Sequence, residues 1–321
     1  MSRIAIVGLD LVGTSLGLAL KDWLAKQKTD SSTIPLQIAG FDYDPDRQKR
    51  AEKLGAIDKS FWGLPSAIED AAVIIVTGPL EEASRTIAEI IPLINWSTVI
   101  TTTNPRIADT LQIFNTYVHK EEQISFVAGH PMISLAREGS PSKELFRGMM
   151  YGVFPHSGAK AQDIDLIVGI VHAIGAKAYF ADPTEYDSQF AATSLLPAML
   201  MAILARTVRS DSGWKDISRF SQTDLEQIAK FLGPFPEGLA TDAQNHAKDL
   251  KRWLERYHEQ LGALIDSLDR DNQDTQSEIR QLLEQANQVR QEWGEKPGRE
   301  ATETTGLQDF IKRMFVGRRN R

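Results

Sequence analysis

The first twenty residues constrain the fold of this chain more than any other stretch. A β-branched run at residues 3–7 is followed at once by a glycine turn at 8–13 and by a helix-forming stretch at 14–20. A strand, a glycine turn and a helix in this order open a dinucleotide-binding βαβ unit, whose helix N-terminus faces a diphosphate. The sequence therefore predicts a Rossmann-like domain at the start of the chain.

One residue of the glycine turn departs from the G-x-G-x-x-G fingerprint. Gly8 and Gly13 occupy the first and third glycine positions, but Asp10 occupies the second. The second glycine lets the cofactor approach the backbone, whereas Asp10 adds a Cβ atom and a negative charge there. The predicted cofactor contacts in the turn are Gly8, Leu9, Asp10, Leu11, Val12 and Gly13.

The second predicted strand, residues 36–41, leads directly into Asp42. An acid at this position accepts hydrogen bonds from both ribose hydroxyls and repels a 2′-phosphate, and Asp44 adds to the repulsion. The sequence therefore favours NAD over NADP as the cofactor. Thr77 and Thr103, beside the ends of two later strands, complete the predicted cofactor contacts.

The remaining chain falls into two patterns. Predicted strands at 71–77, 98–102, 124–128, 149–154 and 176–180 alternate with helices, which predicts a doubly wound sheet within residues 1–182. After the helix N-cap pair Asp182-Pro183 we predict helices alone, so residues 183–295 form an all-helical substrate and dimerisation domain. The fold class is thus α/β followed by all-α, and the wide apolar helical stripes favour a homodimer.

Composition narrows the functional classes. The chain is 42% hydrophobic and 25% charged, has a net charge of −7 and contains no cysteine. These values suit a soluble protein, disfavour nucleic-acid binding and exclude disulfides and thiolate metal sites. The chain opens on a strand without an apolar leader, so we expect a cytoplasmic protein. The longest apolar run, 195–205, is too short to span a bilayer and predicts a buried helix.

The C-terminal segment, residues 296–321, combines a polar linker with a basic amphipathic stretch. Leu307, Phe310, Ile311, Met314 and Phe315 share one helical face, and lysine and arginine residues accompany them. A short basic amphipathic helix of this kind binds anionic membrane surfaces. The alternative is a frayed tail or a segment docked on its own protein.

A candidate catalytic residue follows the predicted strand at 124–128. His130 lies in the tetrad Gly129-His130-Pro131-Met132 at the carboxyl edge of the sheet, where open α/β sheets bind their ligands. A histidine there can accept a proton near neutral pH.

These motifs resemble the prephenate/arogenate dehydrogenases of tyrosine biosynthesis over roughly residues 3–270. The resemblance rests on short motifs along both predicted domains: Thr14-Ser15-Leu16, Gly40-Phe41-Asp42, the His130 tetrad with Gly139, Leu145-Phe146-Arg147-Gly148, Pro183-Thr184-Glu185-Tyr186-Asp187, Ser194-Leu195-Leu196-Pro197, and Gly213 with Ser218-Arg219. It implies an NAD(P)-dependent oxidative decarboxylation of prephenate or arogenate.

The resemblance also implies roles for individual residues. His130 would take the proton of the substrate hydroxyl, and Arg219 would clamp a substrate carboxylate through its planar fork. Asn104 replaces the serine that holds the family's histidine and cofactor. Ser194 and Tyr186 occupy substrate-binding positions.

Several family positions carry different residues here. Ala136 replaces a glutamate, Tyr186 replaces one histidine, and Leu195 and Ala198 replace two others. Each change removes a partner for a charged substrate, which leaves two alternatives open. One is a non-enzymatic dimeric scaffold or ligand sensor, for which the basic tail would supply a membrane contact. The other is a dehydrogenase for a less charged substrate.

Overall fold

An eight-stranded sheet forms the centre of the N-terminal half. The strands are β1 (Ser2–Val7), β2 (Leu36–Phe41), β3 (Lys59–Ser60), β4 (Ala71–Val76), β5 (Val99–Thr102), β6 (Ser125–Pro131), β7 (Met150–Pro155) and β8 (Lys177–Tyr179). Their order in this computed structural model is β3-β2-β1-β4-β5-β6-β7-β8. The structure describes residues 2–27, 36–94, 97–117, 124–133, 139–220, 224–229, 232, 236–269 and 273–294.

The first six strands of the chain are mutually parallel, as the alternation of strands and helices predicts. β7 runs antiparallel to β6, and β8 is parallel to β7. Parallel neighbours need a crossover connection, usually a helix. The described residues between β6 and β7, 132–133 and 139–149, include no helix, so β7 returns in the opposite direction.

Helices cover both faces of this sheet. They are α1 (Leu11–Gln27), α2 (Pro45–Lys53), α3 (Leu64–Ile68), α4 (Leu80–Ile90), α5 (Ile107–Tyr117) and α6 (Ala161–Ala173). Five of the six residues of β4 are buried, which suits a strand covered on both faces. One apolar core contains Leu16 and Leu20 of α1, and a second, on the other face, contains Phe114 of α5.

The C-terminal half contains no strand among its described residues from 183 onward. Its helices are α7 (Pro183–Phe190), α8 (Leu196–Arg209), α9 (Trp214–Phe220), α10 (Asp224–Ala229), α11 (Pro236–Asn245), α12 (Ala247–Leu268) and α13 (Gln273–Gly294), and a π-helical turn, Ala191–Leu195, joins α7 to α8. The predicted fold class is confirmed. The domain bounds 1–182, 183–295 and 296–321 stay predictions.

The predicted N-cap pair Asp182-Pro183 is also confirmed. The Asp182 carboxylate accepts hydrogen bonds from the backbone N–H groups of Thr184 and Glu185, and Pro183 is the first residue of α7. Gly55 follows α2 with φ of +72°, the left-handed conformation expected of a glycine beyond a helix end. The short elements β3 and α3 are additions that the sequence patterns did not predict.

The expectation of a buried helix at 195–205 is wrong for the single chain. In α8 only Ala198 and Met201 are buried, and the Ile203 side chain is 54% exposed. The helical run Pro183–Arg209 has the length and apolar composition of a membrane-crossing helix, and 22% of its most apolar window is buried. Core contacts within this chain therefore leave most of the apolar surface of α8 uncovered.

Candidate functional site

The strand order places the glycine turn at the reversal point of the sheet, between β1 and β4. Ligands of doubly wound sheets bind at this point. Gly8 has φ of +100°, and a Cβ atom on Gly13 would overlap the Gly8 carbonyl oxygen. The turn is therefore tight, and glycine is required at both positions.

Asp10 lies at the N-terminus of α1 with its carboxylate turned inward. Its Oδ1 atom accepts a hydrogen bond from the Gly13 backbone N–H at 2.8 Å and lies 3.3 Å from the Thr77 hydroxyl oxygen. Burial raises the pKa of Asp10, and the hydrogen bond from Gly13 opposes the rise. The carboxylate thus caps the helix whose N-terminus would face a diphosphate.

Asp42 is buried beside the same turn, at the end of β2. Its carboxylate oxygens accept hydrogen bonds from the backbone N–H groups of Leu9, at 2.7 Å, and Asp44, at 2.8 Å. The Arg47 guanidinium lies 3.7 Å from Asp42, an arginine neighbour that the sequence reading did not anticipate. Asp42 therefore holds the turn in place and lies at the ribose position of the fold.

The remaining predicted contacts on this edge are buried. The Thr77 hydroxyl donates to the Gly8 carbonyl oxygen at 2.9 Å, which ties the turn to β4. The Thr103 backbone N–H donates to the Val76 carbonyl oxygen. The Asn104 amide oxygen accepts from the Arg106 backbone N–H at 2.9 Å, and the amide nitrogen donates to the Gly78 carbonyl oxygen at 3.4 Å.

A cavity of about 500 Å³ opens farther along the same edge, between β6, β7 and α7. Its walls are mostly apolar and aromatic. The lining residues are His130, Met132, Ile133, Met149, Met150, Tyr179, Tyr186, Gln189, Phe190, Thr193 and Ser194. Such a cavity, apolar with a few polar groups, is typical of a small-molecule site.

His130 is the titratable group of central interest in this wall. Its Nδ1 atom lies 2.6 Å from the Tyr186 hydroxyl oxygen, and both side chains are buried. Burial, and to a lesser degree the neighbouring His246, lowers the pKa of His130 to about 3. Burial raises the pKa of Tyr186, so the phenol is protonated and the imidazole neutral near pH 7.

Two neighbours of His130 were missed by sequence reasoning. The Phe190 ring packs edge-on against His130, with centroids 5.4 Å apart, and its centroid lies 5.2 Å from that of His246. His246 is 5% exposed, and its Nε2 atom has no hydrogen-bond partner among the described residues. The spacing of Tyr186 and Phe190, four residues apart on one helix, is a signal that could have identified Phe190.

The structure brings Ser194 and Tyr186 to the cavity but not Arg219. The Arg219 side chain, on α9, is 69% exposed and pairs with Asp216 one turn earlier. It is not among the described residues that line the cavity. Its predicted role as a carboxylate clamp stays a prediction, to which the single chain gives no geometric support.

Asp187, next to Tyr186, connects the helical half to the sheet half. Its carboxylate accepts hydrogen bonds from the backbone N–H groups of Ile107, at 3.0 Å, and Ala108, at 3.2 Å, and so caps α5. Burial raises the pKa of Asp187 to about 6. This cap holds α7, and with it Tyr186, against the sheet edge.

The fold and the two edge sites together define a Rossmann-like nucleotide-binding protein with a helical second half. Residues 27–180 match the family description "Prephenate dehydrogenase, nucleotide-binding domain". The chain is 25% identical over 262 residues to the prephenate dehydrogenase of Bacillus subtilis, which is 80% of this chain and 66%, just under two thirds, of that protein.

Solved structures of similar dehydrogenases share the fold. The Synechocystis arogenate dehydrogenase has a TM-score of 0.72 and 20% identity, over 91% of this chain and 99% of that one. The prephenate dehydrogenase from A. aeolicus, in complex with hydroxyphenyl propionate and NAD+, has a TM-score of 0.75 and 17% identity, over 91% and 98%. The chain is thus similar to the prephenate and arogenate dehydrogenases in sequence, over residues 27–180 above all, and in fold.

Proposed function

We propose that this protein is a dinucleotide-dependent dehydrogenase that oxidises and decarboxylates prephenate or arogenate. The observation that carries the proposal is His130, a buried neutral imidazole held by Tyr186 in the wall of the edge cavity. A neutral imidazole in an apolar site can accept the proton of a substrate hydroxyl. The similarity to prephenate dehydrogenase supports the substrate class.

Proton transfer requires one particular tautomer of His130. A base that acts through Nε2 carries its own proton on Nδ1, which then donates to the Tyr186 hydroxyl oxygen. NAD, when bound, supplies the hydride acceptor. Once hydride has left the carbinol carbon and the hydroxyl proton is on Nε2, the C–C bond to the ring carboxylate breaks. Its electrons complete the aromatic ring, carbon dioxide leaves, and His130 returns the proton to the phenolate oxygen.

The glycine turn at residues 8–13 together with Asp42 is called the nucleotide cradle here. It fits a dinucleotide at its ribose end and conflicts with it at its diphosphate end. Asp42 lies where an acid accepts the ribose hydroxyls, which supports NAD rather than NADP. Asp10, while ionised, already takes the Gly13 N–H at the diphosphate position. The diphosphate end therefore does not fit a bound cofactor in this charge state.

A second candidate function is oxidation of a less charged substrate. Among the described residues that line the cavity, His130 alone is a basic or acidic side chain, and it is neutral. A carboxylate buried in this cavity without a charged hydrogen bond would lose roughly 1.5–3 kcal/mol of binding free energy. Gln189, Thr193 and Ser194 offer uncharged polar groups in its place.

A steady-state assay distinguishes these functions. Purified protein is mixed with NAD or NADP and with prephenate, arogenate or an analogue that lacks one carboxylate, and nicotinamide reduction is followed. We expect turnover with NAD, and a roughly 10²–10⁴-fold lower kcat for His130→Asn at unchanged cofactor affinity. Turnover with the analogue alone would favour the second candidate. No turnover and no cofactor affinity would leave the scaffold or sensor.

We also propose a homodimer formed through the helical half. Large apolar side chains are exposed along α8, α12 and α13, where a partner copy would cover them. They are Ile203, Leu204, Leu261, Ile265, Leu268, Leu282, Leu283 and Val289. Light scattering should give twice the chain mass, and Leu261→Glu together with Ile265→Glu should give monomers.

The cytoplasmic location and the membrane contact through residues 307–321 are further proposals, and that segment lies outside the described residues. The basic amphipathic stretch supports reversible binding at the inner membrane surface. Deleting residues 306–321 should abolish sedimentation with vesicles rich in anionic lipid. Equal sedimentation of both proteins would rule out this role of the segment.

A further inference from the structure

We infer that Asp10 is an internal competitor for the diphosphate of the cofactor, so that a dinucleotide binds only when Asp10 is protonated or displaced. The inference rests on the proposed function, because it concerns the cofactor of that reaction. It identifies Asp10 as a residue that sets the affinity of the nucleotide cradle.

The first support is geometric. At the reversal point of the sheet, a diphosphate would accept hydrogen bonds from the free N–H groups in the first turn of α1. The Asp10 Oδ1 atom already accepts the Gly13 N–H at 2.8 Å and lies 3.3 Å from the Thr77 hydroxyl oxygen. The protein thus places its own anion where the ligand's anion would bind.

The second support is electrostatic. Burial of the Asp10 carboxyl group favours its neutral form, and the Arg47 guanidinium on α2 partly opposes this. Arg47 is shared, because it also lies 3.7 Å from both Asp42 and Asp44. On the β4 side Thr77 is uncharged, and the Glu82 carboxylate lies close to Gly78. The described surroundings therefore offer little positive charge to hold two anions together.

The sign of the pH dependence follows from this arrangement. A diphosphate beside Asp10 raises the carboxyl group's pKa further, so binding of the dinucleotide takes up a proton. Affinity then falls as pH rises above the pKa of Asp10 in the free protein, by up to about tenfold per pH unit. At low pH, where Asp10 is already protonated, affinity no longer depends on pH.

Calorimetry with NAD and no substrate tests the inference. The dissociation constant is measured from pH 5.5 to 8.5 for the wild type, Asp10→Asn and Asp10→Gly. Asparagine keeps an oxygen that can accept the Gly13 N–H, so Asp10→Asn removes the charge and retains the helix cap. Asp163→Asn is the control, because Asp163 is a buried acid bonded to Ser125 at the opposite edge of the sheet.

We expect Asp10→Asn and Asp10→Gly to bind NAD at least about tenfold more tightly than the wild type at pH 8. We expect Asp10→Asn to lose the pH dependence, and Asp163→Asn to bind as the wild type does. Repeating the titration in buffers of different ionisation enthalpy should show proton uptake for the wild type only. Thermal unfolding checks that every variant is folded.

Two other results have distinct meanings. If NAD binds to the wild type and Asp10→Asn with equal affinity and equal pH dependence, the inference is wrong and the proposed function stands. If neither NAD nor NADP binds to any folded variant, both the proposed function and the inference are wrong. Binding by the Asp10 variants alone supports the inference and explains an inactive wild type.

Discussion

The glycine turn and the His130 cavity lie on the same edge of one sheet, yet they obtain their polarity in different ways. In the turn, the Asp10 carboxylate meets the Gly13 N–H group within one six-residue stretch, and Asp42 and Thr77, just beyond the ends of the neighbouring strands, hold this stretch in place. The cavity is built from β6, β7 and α7, and its central hydrogen bond joins residues 56 positions apart. The Asp10 cap inside the turn is encoded locally, whereas the contact between His130 and Tyr186 depends on how α7 docks.

The largest expected effect concerns the backbone of the turn. In Gly13→Ala the new Cβ atom would overlap the Gly8 carbonyl oxygen. This oxygen belongs to the backbone, so it can shift only if the whole turn is distorted. We expect a loss of about 3 kcal/mol of unfolding free energy, or roughly 6–12 °C in Tm. Differential scanning calorimetry measures this change.

The same substitution in the helical half should have the opposite sign. Gly262 lies within α12, and a Cβ atom there meets nothing within 4 Å. Alanine is favoured over glycine in a helix by about 0.5–1 kcal/mol, so Gly262→Ala should raise Tm slightly. Equal shifts for the two variants would contradict the tight turn described above.

The second prediction concerns the long-range hydrogen bond of the cavity. Tyr186→Phe leaves the buried His130 Nδ1 atom without its partner and frees the ring to rotate. Losing one such partner costs roughly 1–3 kcal/mol, so we expect kcat to fall about tenfold with little change in the affinity for NAD.

Tyr117→Phe is the matched control, because Tyr117 is an exposed tyrosine at the end of α5. Its kcat should stay within about twofold of the wild type. A Tyr186→Phe enzyme with wild-type kcat would mean that the phenol does not orient His130 during the reaction.

The smallest effect tests how α7 is attached to the sheet half. Because burial raises the pKa of Asp187 to about 6, the folded protein binds this proton more tightly than the unfolded chain. Stability is therefore lost as pH rises from about 4 to 6. Asparagine does not ionise, so Asp187→Asn should not lose this stability. The Tm of the variant minus that of the wild type should therefore increase by about 2–4 °C between pH 4 and pH 7.

Asp216→Asn removes an exposed acid from the same half and serves as the control for net charge. Its Tm relative to the wild type should not change over this pH range. If the Tm of Asp187→Asn varies with pH in parallel with the Tm of the wild type, ionisation of Asp187 does not affect stability.

Local patterns in the sequence were sufficient for much of the fold. The glycine turn, the buried run of β4 and the N-cap at Asp182 are each specified by residues next to one another, and each was predicted. The antiparallel return of β7, the short β3 and the exposed face of α8 were not. They depend on strand pairing and on contacts between distant helices, which periodicity does not report.

The sequence by itself determined the class of the fold and the position of the glycine turn, because strand, turn and cap signals act over a few residues. The role of His130 stays a prediction. Only the tertiary structure decided that Tyr186 bonds His130, that Phe190 and His246 pack around it, and that Asp10 turns into the cradle. Hydrogen bonds and desolvation depend on which atoms meet in space, and the chain order of those atoms does not specify this.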